Sequence, residues 1–207
     1  MLFTFPRLPA SSKKGFTLVE LLISFGIVGL VTGIALFNHT EFGDSIRLSN
    51  LTYTMALQIR EAQVSGSSVR QLGLGGSANF SAAYGIHFFT SGGNNRGYIF
   101  FADIDNDGRY DGSESESGCA SSPECVAYFS LPQGFAVDEF CAETICSTDA
   151  GGPTIDELNI IYKRPSPSAL IKSHQPALYD YGFITLTSPQ GRSRTIRVAS
   201  TGQVSVQ

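Results

Sequence analysis

The sequence predicts an α+β protein in which a long N-terminal α-helix, half apolar and half amphipathic, packs against an antiparallel β-sheet head. Three observations carry this. Phe16 to Phe37 form an almost unbroken apolar run. Leu48, Leu51, Met55, Ile59 and Ala62 then recur at steps of three or four, the period of a helix with one buried face. From about Tyr84 onward, short aromatic and β-branched runs alternate with turn-forming stretches.

The apolar run is the first element to justify. Its 22 residues hold one ionisable side chain, Glu20. As a helix it reaches about 33 Å, against a hydrocarbon core of roughly 30 Å. Lys13 and Lys14 precede it and hold the N-terminus on the cytoplasmic side, which puts the bulk of the chain outside. A cleaved secretory signal has an apolar core of about 7–15 residues and a small-x-small site after it. Here the core is longer, and no such site comes after Leu36.

Glu20 then needs a counter-charge, because a carboxylate in the membrane costs at least a few kcal/mol unless neutralised. The plain alternative is a carboxylate near the helix end that reaches the headgroups. Cleavage after Gly15 would instead create a positive amine on Phe16, about one helical turn from Glu20. The same amine on a neighbouring subunit would pair with Glu20 when helices stack. Assembly would thus satisfy a charge that is costly in the isolated subunit.

The stretch KKGFTLVELLIS resembles the processing site of the type IV prepilin and type II secretion pseudopilin family. In that family a basic leader ends in glycine and is followed by Phe-Thr-Leu-[Ile/Val]-Glu-Leu. The resemblance implies a pilin-like fold and cleavage between Gly15 and Phe16 by a prepilin peptidase, with N-methylation of Phe16. It implies that Glu20, fifth in the mature chain, guides subunit addition. The chain would be the peptidase's substrate, not an enzyme. Its other partners would be further pilin or pseudopilin subunits and an inner-membrane assembly platform. It would sit as a single-pass inner-membrane protein, N-terminus cytoplasmic and head outside, before joining a pilus or pseudopilus. The implied organisation is a cleaved leader (1–15), a transmembrane and filament-core helix (16–37), its amphipathic continuation (38–66) and a β-rich head (67–207).

One departure matters. Many family members have proline near the twenty-second mature position, which is Phe37 here, and no proline occurs between Pro9 and Pro123. No proline kink is therefore predicted. Gly26, Gly29 and Gly33 offer close-approach points instead, the last two in small-xxx-small spacing. At the far end, Gly66 among Ser65, Ser67 and Ser68 is expected to stop the helix.

Seven runs in the head read as strands: YGIHFF, GYIFFA, VAYFSL, FAVDEF, LNIIYK, YGFITL and RTIRVAS. Turn signals such as SGGNNRG, LPQGF and SPQGR separate them. Two small antiparallel sheets laid over the helix are expected, with IKSHQP and KRPSPS as loops. The order of LQIREAQVSG, GYIFFADIDNDG and ITLTSPQGRSRTIRVASTGQVSV is similar to the GspH/FimT group of minor pilins and pseudopilins. That resemblance implies a place at or near a filament tip.

Some FimT-like members bind DNA through arginines in the final hairpin, where this chain has Gln203 and Ser205. Arg192 and Arg194 occur one hairpin earlier, expected on one strand face, with Arg197 beyond. A tip adaptor for DNA uptake is the alternative function, and a solvated strand edge is the plainer reading of these arginines. Charge weighs against general nucleic-acid binding. The three ionised groups before Gly15 (Arg7, Lys13, Lys14) are all basic; removing them from 14 basic residues leaves 11 against 18 acidic. A body this acidic repels phosphate.

Asp103 to Glu114, DIDNDGRYDGSE, matches the twelve-residue pattern D-x-[DN]-x-[DN]-G-x5-E. Asp103, Asp105 and Asp107 would supply carboxylates to Ca2+, and Gly108 the sharp turn. Arg109 would give its carbonyl, Asp111 would bind directly or through water, and Glu114 would close the site. A polar inter-strand turn has the same composition. The next residues, SESGCASSPEC, do not read as the second helix of an EF-hand.

The four cysteines, Cys119, Cys125, Cys141 and Cys146, fall in one segment (119–146) with no histidine and without the C-x2-C spacing common in zinc sites. Disulfides suit an exported head. Three pairings are possible, and closeness in sequence favours Cys119–Cys125 and Cys141–Cys146. His39, His87 and His174 are scattered, and His87 reads as a packed strand residue. No nucleophile motif points to an enzyme.

Overall fold

The computed structural model describes residues 15–68, 72–74, 77–79, 82–90, 95–148 and 152–207; the leader residues 1–14 and part of the SGGNNRG turn lie outside this set, as do the side chains of 37–42 and 72–79. The chain forms two compact units, Met1–Phe42 and Gly43–Gln207. Helix α1 (Leu18–Ser67) contributes to both.

In the N-terminal unit, Thr17 caps α1: its hydroxyl oxygen accepts from the Glu20 amide at 3.2 Å, and its carbonyl accepts from Leu21 at 3.1 Å. Thr-x-x-Glu is the sequence of a capping box, and Glu20 in the first turn faces the positive end of the helix dipole. Leu18–Leu36 then runs for 19 residues at a mean hydropathy of 2.2 with none of it buried, long and apolar enough to cross a membrane. Ser24 and Thr32 return their hydroxyls to the carbonyls of Glu20 and Val28, each at 2.7 Å, so neither leaves an unsatisfied donor on an apolar surface.

In the C-terminal unit, Leu48, Met55, Ile59 and Ala62 are buried and Leu51 packs beside them, as the helical period predicts. Arg47, Arg60 and Glu61 are exposed. The helix ends within the expected Ser65–Ser68 cluster, one residue past Gly66, and a Cβ on Gly66 would meet the Tyr162 carbonyl oxygen at 2.2 Å. Glycine is there because helix and strand backbones touch.

All seven expected strands form. They are β3 (Ala83–Phe89), β4 (Gly97–Asp103), β5 (Cys125–Ser130), β6 (Ala136–Ala142), β8 (Glu157–Tyr162), β11 (Tyr181–Thr187) and β12 (Ser193–Ala199). Shorter pieces extend them: the hairpin β1 (Leu72–Leu74) and β2 (Ser77–Asn79), then β7 (Ile145–Cys146), β9 (Ala169–Lys172), β10 (Leu178–Tyr179) and β13 (Val204–Val206). A four-residue helix, α2 (Glu116–Cys119), precedes β5. The reading of IKSHQP as a loop is corrected at its first two residues. Ile171 and Lys172 belong to β9, because Ile171 pairs with Ile160 and is fully buried.

The strands form a six-stranded sheet, β10-β9-β8-β3-β4-β5, and a five-stranded one, β13-β12-β11-β6-β7. Every pairing is antiparallel. One core joins the second half of α1 to both sheets. Strands β3, β4 and β8 are buried along their whole length because both faces are covered. Tyr84, Ile86, Phe88, Phe100, Ile160 and Tyr162 enter the main core. Their alternate neighbours Ala83, Phe89, Ile99, Phe101 and Ile161 form a second cluster closed by Tyr110. The acidic stretch thus folds back over the outer face of the larger sheet.

Candidate functional site

Gly15, Phe16 and Thr17 precede the first turn of α1 and are exposed, Phe16 by 77%. Among the described residues, nothing beyond its chain neighbours stands within 4 Å of where a Gly15 Cβ would lie. The expected cleavage point is therefore accessible backbone next to a capped helix start, and Glu20 is exposed one turn in.

The acidic loop leaves the end of β4 at Asp103, which is only 2% exposed. Asp103 Oδ2 accepts from the Gly108 amide at 3.0 Å, while its buried Oδ1 has no hydrogen-bond partner. The loop turns through Asn106 and Gly108, at φ 67° and 81°, the left-handed region glycine favours. Asp105 and Asp107 accept from the amides two residues on, at 3.2 and 2.7 Å. Burial raises the Asp103 carboxyl to about 6, opposed by the hydrogen bonds from Asn106 and Gly108 and helped by the charges of Asp107 and Glu124.

One of the sequence-predicted ligands, Glu114, departs from the twelve-residue pattern. Glu114 does not close the loop: its Oε1 lies 3.3 Å from Nε2 of the buried His87, whose Nδ1 meets Asn159 Oδ1 at 2.7 Å. The Arg109 side chain turns to Glu157, with its Nε at 2.8 Å. Glu124, ten residues past the pattern, lies against the loop. It is 5% exposed, and its Oε1 and Oε2 accept from the Ile104 and Asp111 amides, each at 3.0 Å. Asp103, Asp105 and Glu124 each bring an oxygen within 4.8 Å of the others, and Asp105, Asp107 and Asp111 form an exposed second group. Burial, then neighbouring carboxylates, raises the pKa of both Glu124 and Asp111.

Cys119 pairs with Cys125 and Cys141 with Cys146, the pairing that sequence closeness favours. Cys141 and Cys146 stand opposite each other in the β6–β7 hairpin. The first bridge ties α2 to the start of β5, next to Glu124.

Arg192 and Arg194 do not share a strand face, because only Arg194 lies in β12. Arg192 lies in the turn before β12. Arg194 is half-buried at the parity of the buried Ile196 and Val198, whereas Arg197 is exposed on the opposite face, over the rings of Tyr181 and Phe183 at 5.1 and 5.9 Å. His87 is buried between strands, a packed residue as its neighbours suggest.

Residues 10–36 match the family model described as the prokaryotic N-terminal methylation motif. The match indicates a type IV pilin-like substrate of prepilin peptidase, whose apolar helix is followed by an antiparallel β head. It covers Lys13, Lys14, the expected cleavage point between Gly15 and Phe16, Glu20 and the apolar span, and it does not extend into the head. No curated protein and no solved structure matches the chain.

Proposed function

We propose that this chain is a structural subunit, a minor pilin or pseudopilin, of a type IV pilus or type II secretion pseudopilus. Prepilin peptidase cuts between Gly15 and Phe16 and methylates the Phe16 amine. The subunit waits in the inner membrane, N-terminus inward, until the assembly platform adds it to the filament. The carrying observation is the methylation motif at residues 10–36, which runs straight into a capped helix with a fully exposed apolar span.

A second feature of α1 supports side-by-side packing. Ile46, Tyr53, Leu57 and Val64 are exposed by 45–66%. At ~100° per residue they fall within about 40° of one another, opposite the face that Leu48, Met55, Ile59 and Ala62 turn to the core. A helix in the C-terminal unit with apolar residues on both sides suits a subunit that carries its own head on one face and meets other helices on the other.

In this account Glu20 stays unpaired in the membrane and meets the Phe16 amine of a neighbouring subunit on assembly. Glu20→Ala and Leu57→Arg should each leave the membrane pool and the melting temperature of the head unchanged while cutting recovery in sheared filaments severalfold. Undiminished incorporation of both variants would refute the proposal. No grouping of Arg192, Arg194 and Arg197 favours the DNA-adaptor alternative.

A further inference from the structure

We propose that Asp103, Asp105 and Glu124 form a calcium site whose closing carboxylate is Glu124, supplied from beyond the acidic loop, and not Glu114. The site stands apart from the assembly reading and needs no filament.

Two oxygens bound to one calcium ion can be no farther apart than twice the metal–oxygen distance of 2.3–2.6 Å, about 5 Å. One oxygen from each of these three residues lies within 4.8 Å of the others, inside that limit. Acidic residues gather on many surfaces without an ion, so closeness alone decides little. The deciding observation is Asp103 Oδ1, an oxygen of a residue only 2% exposed, with no hydrogen-bond partner. A buried carboxylate oxygen left unpaired is costly. Here its own group belongs to the cluster, so a cation among the three carboxylates supplies the missing partner.

The nearest basic groups are engaged elsewhere. Arg109 pairs with Glu157, and Lys172 donates to the carbonyl of Asp107. Glu124 is held in place rather than free to swing: the Ile104 and Asp111 amides fix both its oxygens, and each oxygen keeps a second lone pair. Its own carbonyl accepts from the Ala102 amide at 2.8 Å, and the register shift between Phe100 and Phe101 falls just beyond it. The Cys119–Cys125 bridge fixes the next residue. Asp107 and Asp111 stand at the rim beside Asp105, available through water. An all-oxygen, multiply charged set of this kind selects a hard divalent ion, and calcium accepts irregular geometry better than magnesium.

The test is calorimetric titration of CaCl2 into the full chain in detergent micelles, after exhaustive chelation, with magnesium as a control. The wild-type protein should bind one ion with a Kd of about 10⁻⁴–10⁻³ M, as open extracellular sites do. Glu124→Gln should weaken binding by about tenfold or more, and Glu114→Gln should leave it within about twofold. Asp105→Asn, at an exposed position, should also weaken it about tenfold and guards against a folding defect in Glu124→Gln. Absence of saturable binding up to about 10 mM would overturn the site. A loss in Glu114→Gln as large as in Asp105→Asn would overturn the assignment of Glu124.

Discussion

At Asp103, burial and hydrogen bonding act in opposite directions. The Gly108 and Asn106 amides favour the carboxylate, but removal from water outweighs them and lifts its pKa from 3.8 to about 6. Between those values the unfolded chain has released a proton that the folded chain still holds. The folded state therefore loses stability as pH rises through that window. In metal-free buffer the melting temperature should fall from about pH 4 to 6. Asp103→Asn should flatten that fall and melt higher than the wild-type protein at pH 7, as a thermal scan at several pH values would record. An unchanged slope in the variant would assign the effect to Glu124 or Asp111, which are shifted in the same direction. The loop was legible as an acidic, cation-suited turn because its spacing is local. Glu124 was not legible. It reaches the loop through the β4–β5 pairing and a disulfide, and nothing near Glu124 in sequence marks it as a partner of Asp103.

On the scale of elements, α1 shows how sequence periodicity and close contact carry different information. Its buried face could be read from the recurrence of Leu48, Met55, Ile59 and Ala62, since burial repeats with the helical turn. The helix end near Gly66 could be read as well, but the contact of Gly66 with the distant Tyr162 carbonyl could not. Gly66→Ala tests that contact. Ala improves helix propensity by about 1 kcal/mol. The added Cβ, 2.2 Å from the rigid Tyr162 carbonyl oxygen, costs about 1–3 kcal/mol through overpacking. Net destabilisation is expected, read as a lower melting temperature; a rise would mean the contact yields. Strands β3, β4 and β8 were legible for the same reason as the helix, since their aromatic and β-branched runs fill two buried faces. The missed strands β7, β9, β10 and β13 have two to four residues and depend on neighbours already in place. Ile171 counts as a strand residue only because β8 lies beside it.

For the whole molecule, the chain is divided between an exposed apolar helical segment and a disulfide-bonded β head. The exposed Leu18–Leu36 span makes no sense in water and full sense in a membrane or against other helices. The disulfides suit an oxidising compartment. In the proposed account Glu20 links the two settings: an anion at the start of an apolar helix would be tolerated in the membrane at a cost and matched by an amine only after cleavage. The most direct test is intact-mass and N-terminal peptide analysis of the protein extracted from cells with and without an active prepilin peptidase. With the peptidase, the chain should begin at a methylated Phe16; without it, Gly15 should remain joined to Phe16. A chain that keeps residues 1–15 in the presence of active peptidase would contradict the account.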